Sequence, residues 1–282
     1  MSRFSYGLNY LGSKNALCDR LFKNAFDMNN CDNFVDLFGG GGSISHYCLS
    51  NYPKVNVIYN EINKEVCQLF ENATSGKLSF LSEQQIKEYC NYYMMNYKKR
   101  KIIKDDIYLL CKYLMCFSGC LRSYGYGKFK NIDEVWDFFE KDGSNRILKN
   151  YERYQNLSSV NKKRLDIYNC DYQLFLMNFF SSMGTKQQQK NIIYCDIPYN
   201  KTQGYGINFN QEEFLNCIYE LSLNENITNT LFYISSYEIN DSRFKCIFEE
   251  KKHLNIQNQK DDIPTERIYI PINQNDTTIK LF

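Results

Sequence analysis

Short apolar runs of strand length recur along the chain, and each ends in a polar or glycine-rich segment. These runs are residues 33–38, 55–59, 165–169, 192–195 and 231–238, with two more at 244–251 and 266–270. Segments with apolar residues at helical spacing, such as 211–222, lie between several of them. Alternating strands and helices predict an α/β protein with a doubly wound sheet.

The pattern changes between about residues 76 and 164. Helical periodicity covers 83–97, 105–117 and 131–157, while Gly, Tyr, Arg and Lys interleave without helical period over 118–130. An interruption of this kind predicts an inserted, mainly helical domain at 76–164 that carries a hairpin or loop. Residues 1–75 and 165–282 would then form the main domain.

Four consecutive glycines, Gly39 to Gly42, separate the first predicted strand from a helix that begins near Ser43. A run of glycines costs backbone entropy on folding, and a connecting turn needs only one or two. The surplus favours a ligand lying directly against the backbone over a merely flexible loop. Glu61, about 20 residues further on, ends the second strand, where an acid accepts ribose hydroxyls. Loop and acid together predict an adenosine-binding half-site.

Two further polar residues follow turns or strands of the predicted sheet. Lys14 comes after a Gly-Ser turn and before an amphipathic run, which predicts a loop leading into a helix. A lysine beside helix-start amides suits a carboxylate or phosphate, although a solvated lysine is the ordinary alternative. Asp171 follows the strand at 165–169, where it could accept from an adenine amino group or cap a helix.

The apolar run 192–194 leads almost directly into Asp196, and Pro198 ends the strand. Ligands of open α/β sheets bind outside the carboxyl ends of the strands. A carboxylate there can accept a hydrogen from an amino group, and the ring of Tyr199 can stack on a flat base. An ordinary Asp-x-Pro turn has the same pattern. The functional interpretation of this segment is therefore favoured only because the glycine loop and Glu61 precede it in the chain.

Composition narrows the class of protein only a little. At 282 residues and 43% hydrophobic, the chain suits one large or two modest domains. No apolar segment reaches the length of a membrane span, and the N-terminal residues lack a signal-peptide pattern, which predicts a cytoplasmic protein. The net charge of +2 neither requires nor excludes nucleic acid, so a basic surface would have to be local.

The twelve cysteines do not indicate a metal site or disulfides. No Cys-x-x-Cys pair occurs, and only His46 and His253 could add imidazole ligands. Several cysteines, such as Cys67, Cys111 and Cys195, lie inside apolar segments. Buried thiols in a reducing compartment are therefore expected, with no metal.

The irregular segment 118–130 has the composition of a DNA-contacting element. Cations can bind phosphates, an arginine can bind guanine, and rings can stack on or wedge between bases. A solvated, glycine-rich surface loop is an equally good interpretation of this segment by itself. The residues expected to contact DNA are Arg122, Tyr124, Lys128 and Lys130.

Taken together, these motifs resemble the Dam-like family of DNA adenine-N6 methyltransferases, especially its phage-borne branch. The segments that carry the resemblance are 10–14, 36–43, Glu61, 170–172, 196–199, 209–214, 234–238 and 265–269. They cover most of the chain in the family's order. The resemblance implies a Rossmann-like sheet that binds S-adenosylmethionine (SAM), the cofactor on which the family's reaction depends. It also implies that residues 76–164 form the target-recognition domain.

The resemblance also implies a set of residues around SAM. They are Tyr10, Lys14, Asp36, Phe38, Gly39, Gly40, Gly41, Glu61, Asp171, Tyr172 and Asp196. Glu61 stands where the family usually has aspartate, and Ile197 stands where the catalytic Asp-Pro-Pro-Tyr motif has a proline. The longer glutamate keeps both acceptor oxygens, and position 197 contributes a backbone carbonyl.

The implied reaction is methyl transfer from SAM to N6 of adenine in double-stranded DNA. Asp196 and the carbonyl of Ile197 would accept the amino hydrogens, and Pro198 and Tyr199 complete the catalytic segment. The target adenine would be flipped out of the stack onto Tyr199. Neither metal nor membrane is expected, and a cognate restriction endonuclease is a candidate partner whose identity the sequence leaves open.

Two other functions stay open at this point. The same Asp-x-Pro-Tyr chemistry would serve a SAM-dependent enzyme that acts on cytosine N4 or on an RNA base. A DNA-binding protein that has lost catalysis is a different class, although the catalytic acid and glycine loop are both present. A dinucleotide oxidoreductase is disfavoured because the loop lacks the Gly-x-Gly-x-x-Gly form.

Overall fold

The computed structural model describes residues 4–97, 105–116, 121, 125–143, 145–182, 189–198, 209–251 and 265–274. Its helices are α1 (Cys18–Asn24), α2 (Ser43–Asn51), α3 (Lys64–Thr74), α4 (Glu83–Tyr97), α5 (Asp106–Met115), α6 (Ile132–Lys141), α7 (Arg146–Asn156), α8 (Tyr172–Ser182) and α9 (Gln211–Ser222). Its strands are β1 (Asn33–Asp36), β2 (Asn56–Asn60), β3 (Leu165–Tyr168), β4 (Asn191–Asp196), β5 (Thr230–Ser236), β6 (Phe244–Lys251) and β7 (Thr265–Pro271). The predicted strands and helices are present, with bounds shifted by a few residues.

The strands of the described residues form one seven-stranded sheet in the order β3-β2-β1-β4-β5-β7-β6. The neighbours from β3 to β5 are parallel, whereas β7 runs antiparallel to both β5 and β6. The first five positions follow the doubly wound order, which confirms the predicted Rossmann-like α/β class. The strand order reverses between β1 and β4, and ligands bind at such a reversal, outside the carboxyl ends of the strands.

The central strands are apolar on both faces because helices cover the sheet on both sides. Along β4, Ile192 and Tyr194 pack into a core with α1 and α2, while Ile193 and Cys195 pack into a second core with α8 and α9. This explains why β4 appears in the sequence as a continuous apolar run rather than an alternating one. The buried strand holds Asp196, its last residue, at a defined place at the sheet edge.

The helices between α3 and β3 form a third core together with α3. Val66 and Phe70 of α3 pack in the same buried cluster as Leu110, Tyr113 and other residues of the inserted helices. The predicted helical stretch 131–157 is two helices, because Gly143, with φ +69°, follows the end of α6. Asn145 then caps α7 by accepting from two backbone N–H groups of its first turn.

Candidate active site

A cavity of about 330 Å³ lies at the carboxyl ends of the parallel strands, where the strand order reverses. Every residue that the sequence predicts around a cofactor lines it: Tyr10, Lys14, Asp36, Phe38, Gly39, Gly40, Gly41, Glu61, Asp171, Tyr172 and Asp196. Ile197 and Pro198 line it as well, and Tyr199 lies outside the described residues. Chain segments up to about 180 residues apart therefore meet in one place. The individual roles remain predictions.

The glycine loop is required in part by the protein's own packing. A side chain at Gly39 would begin only 2.1 Å from the ring of Tyr59, which stacks on Phe70. Gly40 has a left-handed backbone with φ +49°, and a Cβ there would lie 3.3 Å from the ring of Tyr10. The sequence interpretation ascribed the surplus glycines to a ligand, whereas the structure adds the close approach of Tyr59 as a second cause.

Glu61 holds the glycine loop from the end of β2. Its Oε2 accepts from the backbone N–H of Gly40 at 2.9 Å, and its Oε1 accepts from that of Asn63 at 2.7 Å. Burial raises the pKa of this carboxyl, and these two hydrogen bonds oppose the rise. Each carboxylate oxygen has a second lone pair, so the group can still accept hydroxyl hydrogens from a ligand in the cavity.

Asp36 is a second buried acid of the cavity, at the end of β1. Its Oδ2 accepts from the hydroxyl of Ser45 at 2.7 Å and from the backbone N–H of Ser45 at 3.3 Å. Burial raises the pKa of Asp36 to about 7, and the nearby charges of Asp196 and Glu61 add to the rise. The hydrogen bonds from Ser45 act in the opposite direction.

Asn60, for which the sequence suggests no role, ties three strand ends together. Its Nδ2 donates to the carbonyls of Leu37 and Cys170, both at 3.1 Å, and its Oδ1 accepts from the N–H of Cys170 at 3.3 Å. This places Asp171 at the cavity. The carboxylate of Asp171 also accepts from the N–H of Gln173 at 2.8 Å, which caps α8, one of the two roles that the sequence left open. Asp171 lines the cavity as well, and its contact with an adenine amino group stays a prediction.

An aromatic wall closes one side of the cavity. The ring centroid of Phe38 lies 5.9 Å from that of Tyr172 and 5.7 Å from that of Phe209, and Phe214 lies behind them. Phe209 lines the cavity beside the two predicted rings. The sequence shows the segment that contains Phe209 as a motif, but it gives no signal that this ring reaches the site.

Asp196 forms a buried ion pair with Lys14. The lysine Nζ lies 2.6 Å from Oδ1 and 2.7 Å from Oδ2 of the carboxylate, and the lysine side chain is only 2% exposed. Charged hydrogen bonds to both oxygens fix the orientation of the carboxylate. Lys14 lines the cavity as predicted. Because its side chain is buried, it is not the solvated surface lysine that was the alternative interpretation.

Ile197, the departure from the catalytic motif, is anchored in the core. Its side chain is buried in the cluster that contains Phe232 and Phe214. A buried aliphatic side chain holds the backbone that follows Asp196 in place. The position can therefore present a main-chain carbonyl without requiring proline.

The loop that carries Tyr10 and Lys14 is held from two sides. The N–H of Leu8 donates to the carbonyl of Gly41 at 2.7 Å. The N–H of Asn9 donates to the hydroxyl of Tyr113 on α5 at 2.9 Å, and its side chain donates to Asn150 on α7 at 3.1 Å. The loop thus connects the glycine loop with the inserted helices.

The predicted DNA contacts are only partly within the described residues. Arg122 and Tyr124 lie outside them, so the hairpin itself is not seen. Lys128 lies over the rings of Phe129 and Phe138, with its Nζ 4.9 Å and 4.7 Å from their centroids. The backbone N–H of Lys130 donates to the carboxylate of Glu134 at 2.9 Å, and this hydrogen bond holds the backbone before α6. It involves only the main chain of Lys130, so the predicted role of the lysine ammonium stays a prediction.

The described residues contain neither a metal-binding cluster nor a membrane-spanning helix. Among the described residues, no three side chains of the metal-binding types lie close enough to hold an ion. The helices found in those ranges are too short or too polar to cross a bilayer. Of the cysteines that the structure describes, most are buried, and burial raises the pKa of Cys31 and of Cys67 to about 12.

Comparison with known proteins gives three findings. Residues 10–261 match the model of a family described as D12 class N6 adenine-specific DNA methyltransferase. The type II methyltransferase M.MjaIII from Methanocaldococcus jannaschii is 24% identical over 170 residues, and the match spans 51% of this chain and 58% of that relative. The solved structure of the rRNA methyltransferase aviRa from Streptomyces viridochromogenes aligns with 92% of this chain and 82% of that chain, with 11% identity and a TM-score of 0.40.

Proposed function

The chain belongs to the D12 class of N6 adenine-specific DNA methyltransferases, and we propose that it transfers the methyl group of SAM to N6 of adenine in double-stranded DNA. The observation that carries this proposal is the ion pair between Asp196 and Lys14, set in the same cavity as the glycine loop and Glu61. An oriented acceptor for an amino group thus faces an adenosine-type half-site. Membership agrees with the resemblance seen in the sequence, while the phage-borne branch stays a prediction.

The charge of the cavity supports SAM as its ligand. Its described lining includes the acids Asp36, Glu61, Asp171, Asp196 and Glu213, against the single cation Lys14. Such an excess of acids suits a ligand with a sulfonium and an ammonium group. When bound, SAM supplies an activated methyl group with a neutral leaving group.

Each side of the cavity has a distinct part in holding the cofactor. Glu61 accepts the ribose hydroxyls, and Asp171 accepts from the adenine amino group of the cofactor. Phe38, Tyr172 and Phe209 pack against its flat and apolar parts, and Asp36 balances its cationic end. Gly40 and its neighbours let these groups approach the backbone closely.

The methyl acceptor is activated by hydrogen bonds. The lone pair of an adenine amino group is delocalised into the ring, which makes the nitrogen a weak nucleophile. Asp196 and the carbonyl of Ile197 accept its two hydrogens and draw the nitrogen towards tetrahedral geometry. With SAM bound, the lone pair would be available for in-line attack on the methyl group that the cofactor would supply. Asp196 then takes the proton that the methylated nitrogen loses.

The remaining assignments concern DNA. An adenine within the stack cannot reach Asp196, so the base is flipped out and stacks on Tyr199. Residues 76–164 form the target-recognition domain, in which Arg122 and Tyr124 contact bases and Lys128 and Lys130 contact phosphates. The enzyme acts on DNA in the cytoplasm, and a cognate endonuclease would make it half of a restriction–modification pair.

Product analysis tests the proposed function directly. The purified protein is incubated with methyl-labelled SAM and duplex DNA free of adenine methylation, and the DNA is then digested to nucleosides. We expect label in N6-methyldeoxyadenosine. Label in N4-methyldeoxycytidine or only in RNA would contradict the substrate, and SAM binding without any transfer would favour a protein that has lost catalysis.

The affinity for SAM should rise as the pH increases from about 5.5 to about 7.5. A pKa of about 7 leaves Asp36 largely protonated below that pH in the cofactor-free protein, and a cationic ligand favours its ionised form. Calorimetry across this pH range measures how the affinity for SAM changes with pH. The variant Asp36→Asn should bind SAM more weakly and with a flatter pH dependence, and an unchanged slope would contradict the role of Asp36.

Phe209→Ala should weaken SAM binding by about tenfold and leave kcat at saturating SAM close to the wild-type value. The reason is that the ring lies in the aromatic wall of the cavity, where it packs on Phe38 and Tyr172. Phe180→Ala is the matched control, because Phe180 packs on Phe232 away from the cavity lining. Equal affinities for the two variants would contradict the assignment of Phe209.

A further inference from the structure

Glu266, in the antiparallel strand β7, is a buried carboxylate beside the catalytic pair. Its side chain is 0% exposed, and its Oε1 lies 3.6 Å from the Nζ of Lys14. The sequence shows the segment around it as a motif but suggests no role for the glutamate. The Lys14 ammonium therefore lies within ion-pair distance of two carboxylates, those of Asp196 and Glu266.

The arrangement depends on the order of the strands. Ser235 of β5 pairs with Asp196 of β4 on one side and with Ile268 of β7 on the other. The hydroxyl of Ser235 donates a short hydrogen bond to Glu266. Because β7 lies directly beside β5, which itself pairs with β4, its glutamate comes within ion-pair distance of the lysine that holds Asp196.

Packing alone does not account for an acid at this position. Taking a carboxylate out of water is costly, and one ammonium compensates two carboxylates, one of them fully buried, less well than it compensates one. A neutral glutamine would fill the same volume and could still accept from Ser235. The negative charge itself is therefore the feature that needs a role.

We propose that Glu266 is a positioning residue for the methyl transfer of the proposed function, on which this role rests. It restrains the Lys14 ammonium as a second carboxylate at 3.6 Å, so that the hydrogen bonds at 2.6 and 2.7 Å hold both oxygens of Asp196 in one orientation. It also shares the charge of the ammonium, which leaves Asp196 a stronger acceptor for the amino hydrogens of the base. Glu266 does not touch the base or the cofactor.

The test compares Glu266→Gln with the wild type in single-turnover methyl transfer and in steady state. We expect kcat to fall by about 10²-fold while KM for SAM and for DNA stays within twofold, because misplacement of a reacting group acts on the chemical step. SAM affinity by calorimetry shows that the variant is folded. Glu249→Gln is the matched control, since Glu249 is an exposed residue of the neighbouring strand β6 and pairs with Arg267 of β7.

A double variant tests whether Glu266 acts through Lys14. In a Lys14→Met background, Glu266→Gln should cause no further loss of kcat, because the ammonium that it restrains is gone. If Glu266→Gln does not fold, Ser235→Ala loosens the glutamate and should lower kcat about tenfold with unchanged SAM affinity.

Several results would overturn the role. They are an undiminished kcat in Glu266→Gln, an equal loss in Glu249→Gln, or losses that multiply in the double variant. Failure of the proposed function gives a different result from failure of the role of Glu266. In that case the wild type itself yields no N6-methyldeoxyadenosine, whereas an active wild type with an active Glu266→Gln variant refutes the glutamate alone.

Discussion

Asp196→Asn should lower kcat by at least about 10³-fold and leave the affinities for SAM and duplex DNA within a few-fold of the wild type. The amide keeps the size of the side chain but replaces one acceptor oxygen by a donor. It therefore cannot orient the amino group of the base through the same hydrogen bonds, and it cannot take up the proton. Label transfer measures kcat, and calorimetry and fluorescence anisotropy measure the two affinities.

Asp166→Asn is the matched control for this substitution. Asp166 is an exposed residue of the edge strand β3, outside the cavity lining, so the same chemical change should leave turnover unaltered. A fully active Asp196→Asn protein would refute the mechanism. Loss of SAM binding together with turnover would instead show that Asp196 acts mainly in holding the cofactor.

Lys14→Met should reduce methyl transfer by about 10²-fold and also destabilise the protein by about 3–5 kcal/mol at neutral pH. Removal of the ammonium leaves Asp196 less firmly oriented and Glu266 buried without that counter-charge. Breaking a buried ion pair is costly for this reason, even where the intact pair stabilises little. Urea unfolding measures the stability, and single-turnover label transfer measures the rate.

Lys190→Met separates the two effects of Lys14→Met. Lys190 immediately precedes β4, at its amino end, and its Nζ lies 2.6 Å from the buried Asp27. Loss of this ion pair should lower stability without changing methyl transfer, because the pair lies at the edge of the sheet opposite the cavity. If both variants lost activity in proportion to stability, Lys14 would have no specific part in the reaction.

The sequence predicts the elements around the site well because each has a strong local signal. The central strands are continuous apolar runs, since a parallel strand covered on both faces has no polar side. The helix 211–222 is found at the predicted bounds, where Asn210 caps its first turn. The single helical stretch predicted at 131–157 was too coarse, because helical periodicity continues across the break after Gly143.

The sequence by itself determined the family, the class of fold and many of the residues that meet in the cavity. It did so because short motifs with special backbone requirements, and acids at strand ends, follow one another in a set order along the chain. Each motif contains its own chemical signal, such as the glycine run, Glu61 or the Asp-x-Pro-Tyr segment. Their common position then follows from the parallel sheet.

Only the tertiary structure decided how these residues contact one another. Lys14 and Asp196 are 182 positions apart, and no local pattern shows that they form an ion pair. The same holds for Phe209 in the aromatic wall, for Asn60 between three strand ends and for Glu266 near the ammonium of Lys14. The physical reason is that these contacts depend on strand order, above all on the insertion of β7 beside β5. Periodicity in the sequence gives the face of a strand but not its neighbour.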